Sequence, residues 1–141
     1  MRESILDTHT VFNQSPIYGG HNNWVSDPLL RRIVGEVPAE VRKGLEAHGM
    51  WAGHYETYEL ARLANRHTPS LRTHDAKGNR LDLVDFHPAY HAMMRKSMSA
   101  GMHCSIWDDD EAEQGKRNLL RAARYYMTSA VETGHLCPTM R

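Results

Sequence analysis

Val41-Arg42-Lys43-Gly44-Leu45-Glu46-Ala47-His48-Gly49-Met50-Trp51-Ala52-Gly53-His54-Tyr55 is the stretch that decides the fold. Val41, Leu45, His48, Ala52 and Tyr55 recur at spacings of three and four, the interval that lines side chains along one side of an α-helix. Leu60, Leu63 and Ala64 continue the stripe towards Asn65, which predicts one long helix from Pro38 to about Arg66. Gly44, Gly49 and Gly53 interrupt it, each weakening a helix by about 1 kcal/mol relative to alanine. Three glycines in one helix point to close approach of a neighbouring backbone or to a local bend near the middle.

Upstream, Ser26-Asp27-Pro28 reads as a helix start, an oxygen-bearing cap followed by proline in the first turn. Leu29, Leu30, Ile33 and Val34 give that helix a short apolar face, bracketed by Gly35 and Pro38. Before it, Ser15-Pro16, Gly19-Gly20 and Asn22-Asn23 break up a polar head that nevertheless carries Phe12, Ile17, Tyr18 and Trp24. Residues 8–24 therefore read as an arm that packs on another domain or subunit, with a disordered tail as the alternative.

Downstream, Pro69 ends the long helix. Leu71 to Asp75, the turn Ala76-Lys77-Gly78-Asn79 and then Arg80 to Val84 form the one plausible strand pair, a small hairpin. Pro88 opens the next helix, with Tyr90, Met94 and Met98 as its apolar line and an end near Gly101. In the last helix, residues 111–133, acids precede bases, which suits the helix dipole. Leu119, Ala122, Ala123, Tyr126, Ala130 and Val131 are its predicted buried side, with Gly134 as a left-handed residue just past its end. The fold class that results is mainly α with one hairpin-like segment.

A length of 141 residues suits one such unit and is short for two. Lysine plus arginine balance aspartate plus glutamate at 17 each, so net charge supports neither nucleic acid nor an anionic membrane as partner. No apolar run has the length of a signal peptide or a membrane span, which makes a cytoplasmic protein the expectation. Cys104 and Cys137 form no CxxC and are too few for a disulfide framework; they read as reduced, mostly buried thiols.

Several residues invite chemistry. Ten histidines are many for this length, and His87 and His91 stand four apart, a spacing at which two imidazoles on a helix can share a metal. Pro88 puts His87 at a helix boundary and no cysteine or carboxylate is paired with the two at ligand spacing, so a structural pair, with ring nitrogens capping backbone or meeting carboxylates, is preferred. His103 beside Cys104 lacks the third group that a Cys–His nucleophile needs. Lys116, Arg117, Arg121 and Arg124 read as a solvated face rather than a phosphate site, Glu113 and Arg117 being a favourable pair. Met93, Met94, Met98 and Met102 read as core filling rather than an adaptable groove, and Glu56 with Glu59 as surface carboxylates. No phosphate loop, nucleophile elbow or zinc-finger spacing occurs.

Five tracts carry a resemblance: Thr8-His9-Thr10-Val11-Phe12-Asn13-Gln14, Glu59-Leu60-Ala61-Arg62-Leu63-Ala64-Asn65, Asp75 with Gly78 and Arg80, Val84-Asp85-Phe86-His87-Pro88-Ala89-Tyr90-His91, and Gly134-His135-Leu136-Cys137-Pro138. In order and spacing they resemble the N-terminal region of the adaptive-response AidB-like branch of the acyl-CoA dehydrogenase superfamily. The resemblance implies an FAD-dependent oxidoreductase acting on acyl-CoA-type substrates when complete, oligomeric, with a β-domain and a further helical domain holding the flavin and the catalytic carboxylate. It assigns no catalytic, cofactor-binding or metal residue within this chain, and implies no FAD bound by this chain alone. It divides the sequence into an arm at 1–25, a helical domain at 26–137 and the start of a missing β-domain at 138–141. The partners it implies are the remaining domains or a separately encoded protein that supplies them; the DNA binding ascribed to the family lies in a region not represented here. The reading that competes with it is a free-standing helical interaction module without enzymatic activity.

Overall fold

A computed structural model describes residues 8, 12–16, 18–107 and 115–139, the last two for their backbone alone. Helix α1 (Pro28–Val34) starts where expected: the Asp27 carboxylate accepts the Leu30 N–H at 2.8 Å. Gly35 at φ 67° ends it. Leu30 and Val34 are buried, whereas Leu29 and Ile33 face outward.

The predicted single long helix is two, α2 (Ala39–Ala52) and α3 (Tyr55–Arg66), separated at Gly53 and His54. The break has a steric cause. The chain at 20–24 lies directly on the C-terminal half of α2: Gly20 N–H donates to the Gly53 carbonyl at 2.7 Å and Asn23 N–H to the Gly49 carbonyl at 3.0 Å. A Cβ on Gly53 would stand 1.8 Å from the His21 carbonyl oxygen. The glycines thus report both causes read from the sequence, a close approach and a bend. His54 then starts α3, its ring accepting the Glu56 N–H.

Strands β1 (Ser70–His74) and β2 (Arg80–Asp85) pair antiparallel, with Leu71 opposite Val84 and a register shift between Arg72 and His74. The turn is built by Asp75, whose carboxylate accepts from the Lys77 and Asn79 amides, and by Gly78 at φ 84°. Helix α4 (Pro88–Ser99) follows, then turns through 101–107, α5 (Arg117–Ser129) and the short α6 (Leu136–Thr139). Of the predicted last helix, residues 111–114 lie outside the described residues.

Helices α1 and α2 pack against α5 around Trp24, Leu30, Val34, Val41, Leu45, Ala52, Leu120, Ala123 and Met127. Helix α3 pairs with α4, against which α6 also rests. Trp24, expected in an arm reaching elsewhere, is a core residue of this domain.

The buried faces of α4 and α5 are turned by about one position from those read in the sequence. Ala89, Met93 and Ser97 are buried in α4 in place of Tyr90, Met94 and Met98. In α5 the buried set is Leu120, Ala123, Arg124, Met127 and Thr128, while Tyr126 is exposed. In both helices the buried face includes polar residues that bond inside, so a purely apolar periodicity misplaces it. Gly134 is not left-handed either. Helix α5 ends at Ala130 in right-handed geometry, and the Gly134 N–H is used instead to reach Glu132.

Candidate functional site

Two buried polar networks form between the helices. In the first, Glu132 just past α5 gathers donors from three directions: the Gly134 N–H at 2.5 Å, the His135 N–H at 3.0 Å and Asn65 Nδ2 of α3 at 3.2 Å. Its carboxylate also accepts His135 Nδ1–H. The other ring nitrogen of His135, Nε2, is hydrogen-bonded with the Ser97 hydroxyl of α4, 2.9 Å away. Burial alone would raise the Glu132 carboxyl, but the bonds from the His135 ring and the backbone amides outweigh it and hold the group below its ordinary value.

Serine, imidazole and carboxylate in this order are the components of an activated nucleophile. Here they are sealed: Ser97 is 0% exposed and His135 2%. A nucleophile must reach its substrate, so the chemistry of this arrangement is mechanical. It ties the segment after α5 to α3 and α4 at once.

The second network lies between α2 and α5. Thr128 donates its hydroxyl to the Arg124 carbonyl at 2.8 Å, so its oxygen is left to accept from His48 Nε2–H at 2.9 Å. That fixes the His48 tautomer and leaves Nδ1 bare, buried and without a partner among the described residues. Burial, aided by the charges of Arg124 and Lys96, lowers the His48 pKa from 6.5 to about 4, so the ring is neutral at pH 7.

The residues singled out in the sequence fall mostly into structural roles. His87 caps α4, its Nδ1 accepting the Ala89 N–H at 3.1 Å, and its ring stacks on His67 at 4.6 Å. His91 meets the edges of Phe86 and Tyr90 instead of sharing a ligand with His87. Among the described residues, no three His, Cys, Asp or Glu side chains converge as a metal site. Met93 and Met102 are fully buried. Glu56 is exposed, and Glu59 is held by Arg62 on the surface. His103 and Cys104 lie in the turns after α4; Cys104 is half-buried, but Cys137 is exposed, against the expectation of a buried thiol.

The expected solvated basic face is corrected too. Lys116 Nζ donates to the Val34 and Glu36 carbonyls at 2.7 Å each, Arg121 Nε donates to the Met102 carbonyl, and Arg124 is buried. Lys116 thus caps the end of α1, and Arg121 holds the turn at Met102. Sequence reasoning does not reach Glu132, His135, Ser97 or Thr128 as site candidates; the only clue in the sequence is Glu132 and His135 three residues apart beside a helix end.

A wide groove of about 1050 Å³ opens between α1 and α2 and carries Arg31, Arg32, Arg42 and Lys43 interleaved with Glu36 and Glu46. Its cations suit phosphates, but its one aromatic ring, Trp24, is buried and offers no platform for a flavin. Gly49 and Gly53, whose backbone could otherwise cradle a pyrophosphate, are covered by Asn22, Trp24 and His21. Neither that groove nor those glycines offer a seat for a flavin dinucleotide. A smaller apolar groove runs between α1 and α5 along Leu29, Ile33, Leu119, Ala122 and Tyr126. No described helix is long and apolar enough to cross a membrane.

The described residues form a layer of helices with one two-stranded hairpin, tied together by buried polar networks. The sequence profile of the adaptive response protein AidB N-terminal domain matches residues 13–141, and the chain belongs to that family. It is 39% identical over 132 residues to the putative acyl-CoA dehydrogenase AidB of Escherichia coli (strain K12), covering 93% of this chain but 24% of that protein. The chain thus spans about a quarter of the length of that relative. Its fold is similar to that of Caenorhabditis elegans ACDH-11, solved in complex with C11-CoA, with a TM-score of 0.70 at 24% identity over 94% of this chain and 23% of the other. The apo-form of Bd2924 is similar at a TM-score of 0.70 and 20% identity, over 85% of this chain and 24% of that one.

Proposed function

We propose that this chain is the noncatalytic N-terminal domain of a cytoplasmic AidB-like flavoprotein, an FAD-dependent oxidoreductase for acyl-CoA-type substrates when complete. The observation that carries the proposal is the family match over residues 13–141 of a chain that spans a quarter of its relative's length. In this reading the domain contributes a wall and a scaffold, while the flavin and the reacting carboxylate belong to the remaining domains. The Glu132–His135–Ser97 network supports a scaffold role, since it uses the most reactive-looking side chains of the chain to fix the path of the backbone past α5. Sequence beyond residue 137 then belongs to the approach to a following domain, and residues 26–137 are the helical unit.

The experiment is complementation. This chain is mixed with Escherichia coli AidB lacking its own N-terminal quarter, and flavin retention through gel filtration is followed. Co-elution of the two polypeptides with enhanced flavin retention is expected. Failure of the two to associate, with the truncated relative folded and the chain folded, would refute the proposal.

The apolar groove at Leu29, Ile33 and Tyr126 favours a second reading, a free-standing interaction module. That reading predicts association with proteins that carry no flavin and indifference to the truncated relative.

A further inference from the structure

A cleft of about 280 Å³ opens between α2, α4 and α5, lined by Gly44, His48, Lys96, Ser99 and Arg124. It is built unlike the groove between α1 and α2. There, Glu36 and Glu46 answer the bases, whereas no carboxylate stands among the described residues that line this cleft. Lys96 comes from α4, its Nζ 5.8 Å from the centre of the Trp51 ring, and Arg124 comes from α5. Cations of two different helices thus line one small space.

His48, 4% exposed, forms the inner wall. Its Nε2 keeps the proton because the Arg124 carbonyl, 3.2 Å away, can only accept. Nδ1 is therefore an acceptor, and it is buried without a partner among the described residues. Burial first, then the charges of Arg124 and Lys96, hold the ring neutral. Gly44 supplies an independent observation. Gly49 and Gly53 are required by the strap at 20–24, but a Cβ on Gly44 would meet nothing within 4 Å. Among the described residues nothing asks for a glycine there, where it weakens the helix. Its missing side chain leaves the cleft open at the surface, and glycine suits a backbone that a ligand approaches closely.

We propose that this cleft binds a phosphate group, its charge balanced by Lys96 and Arg124 and its P–OH donating to His48 Nδ1. The cations call for an anion, and Nδ1 calls for a donor. A phosphate that bears one proton offers both, whereas a carboxylate at neutral pH offers only the first. The ring is nearly covered, so contact takes a small adjustment, which the flexible stem of the half-buried Lys96 can make. The site lies wholly in α2, α4 and α5 and so stands whether or not a flavin domain follows.

The test is nuclear magnetic resonance of the His48 ring in the whole chain, titrated at about pH 6.5 with inorganic phosphate and, at equal ionic strength, with sulfate. Phosphate carries a proton at that pH, and sulfate, of the same shape, carries none. A saturable shift of the His48 Nδ1 signal with phosphate and a several-fold weaker response to sulfate are expected. Lys96→Gln should weaken phosphate binding by about tenfold, and Gly44→Leu, which sets a side chain in the mouth, should abolish it. Neither position is buried, so the helical spectrum should stay unchanged. Lys43→Gln, which removes a base of the groove between α1 and α2, should change nothing. Methyl phosphate separates the two sources of the group: tighter binding than inorganic phosphate assigns the cleft to a phosphate ester, weaker binding to the free ion. A His48 ring indifferent to phosphate, equal binding of sulfate, or phosphate binding that survives both cleft variants would overturn the proposal. So would loss of binding in Lys43→Gln alone, which would place the ion between α1 and α2.

Discussion

Gly44 and Gly49 lie five residues apart in α2 and should respond to alanine with opposite signs. Both substitutions gain about 1 kcal/mol of helix propensity. A Cβ on Gly44 meets nothing within 4 Å, so Gly44→Ala keeps that gain. A Cβ on Gly49 would stand 2.5 Å from Asn22 Oδ1, 2.5 Å from the Trp24 backbone nitrogen and 2.7 Å from Trp24 Cβ. Two of these atoms cannot rotate away, so the strap at 22–24 must lift. Lifting it strains the Asn23-to-Gly49 backbone bond and the Asn22-to-Glu46 bond, each worth about 0.5–1.5 kcal/mol, and begins to uncover Trp24. Adding an overpacking cost of about 1–3 kcal/mol and subtracting the propensity gain, Gly49→Ala should destabilise by about 1–5 kcal/mol. Thermal unfolding followed by circular dichroism reads this as a midpoint raised by about 3 °C for Gly44→Ala and lowered by about 3–15 °C for Gly49→Ala. Equal stabilisation by both would refute the steric account of the α2–strap contact.

The neutral, buried state of His48 predicts acid sensitivity. The unfolded imidazole binds its proton below its ordinary value of 6.5 while the folded one waits until about 4, so stability is full above pH 6.5 and falls by about 3 kcal/mol as pH drops to 4. Urea unfolding across that window should show the slope in the native chain and a flatter one in His48→Asn. For Glu132 the sign follows from a lowered carboxyl: its contribution is present above the ordinary carboxylate value and is lost as pH falls through the folded one. Glu132→Ala strands the amides of Gly134 and His135, the His135 ring and Asn65, and should cost about 3–5 kcal/mol in chemical unfolding; a loss under about 1 kcal/mol would contradict the network's role.

What the sequence makes legible is what local chemistry controls. Asp27 before Pro28, Pro88 at the head of α4, and Asp75 with Gly78 in the hairpin turn each act on backbone within a few residues, and each is readable as such. The tracts that carry the family resemblance include further anchors of this kind, His87 and Asn65 among them. Less legible are the faces of α4 and α5. Ser97 and Thr128 are buried where His135 and His48 meet them from distant parts of the chain, and no periodicity of apolar residues announces a partner 38 or 80 positions away. The break at Gly53 is half-readable: glycine signals an approach, but the approaching chain, residues 20–24, lies some thirty positions upstream in a segment that reads as loop. The bases of α5 read as solvated since their acceptors, the carbonyls of Val34, Glu36 and Met102, leave no trace in side-chain composition.

We propose a scaffold whose flavin chemistry resides in other domains. Gel filtration of the purified chain with added FAD, monitored at wavelengths where bound flavin absorbs, tests it most directly. The account predicts that the protein peak elutes free of flavin. A flavin signal that co-elutes with the folded chain in stoichiometric amount would contradict it, and would move the cofactor site into these residues.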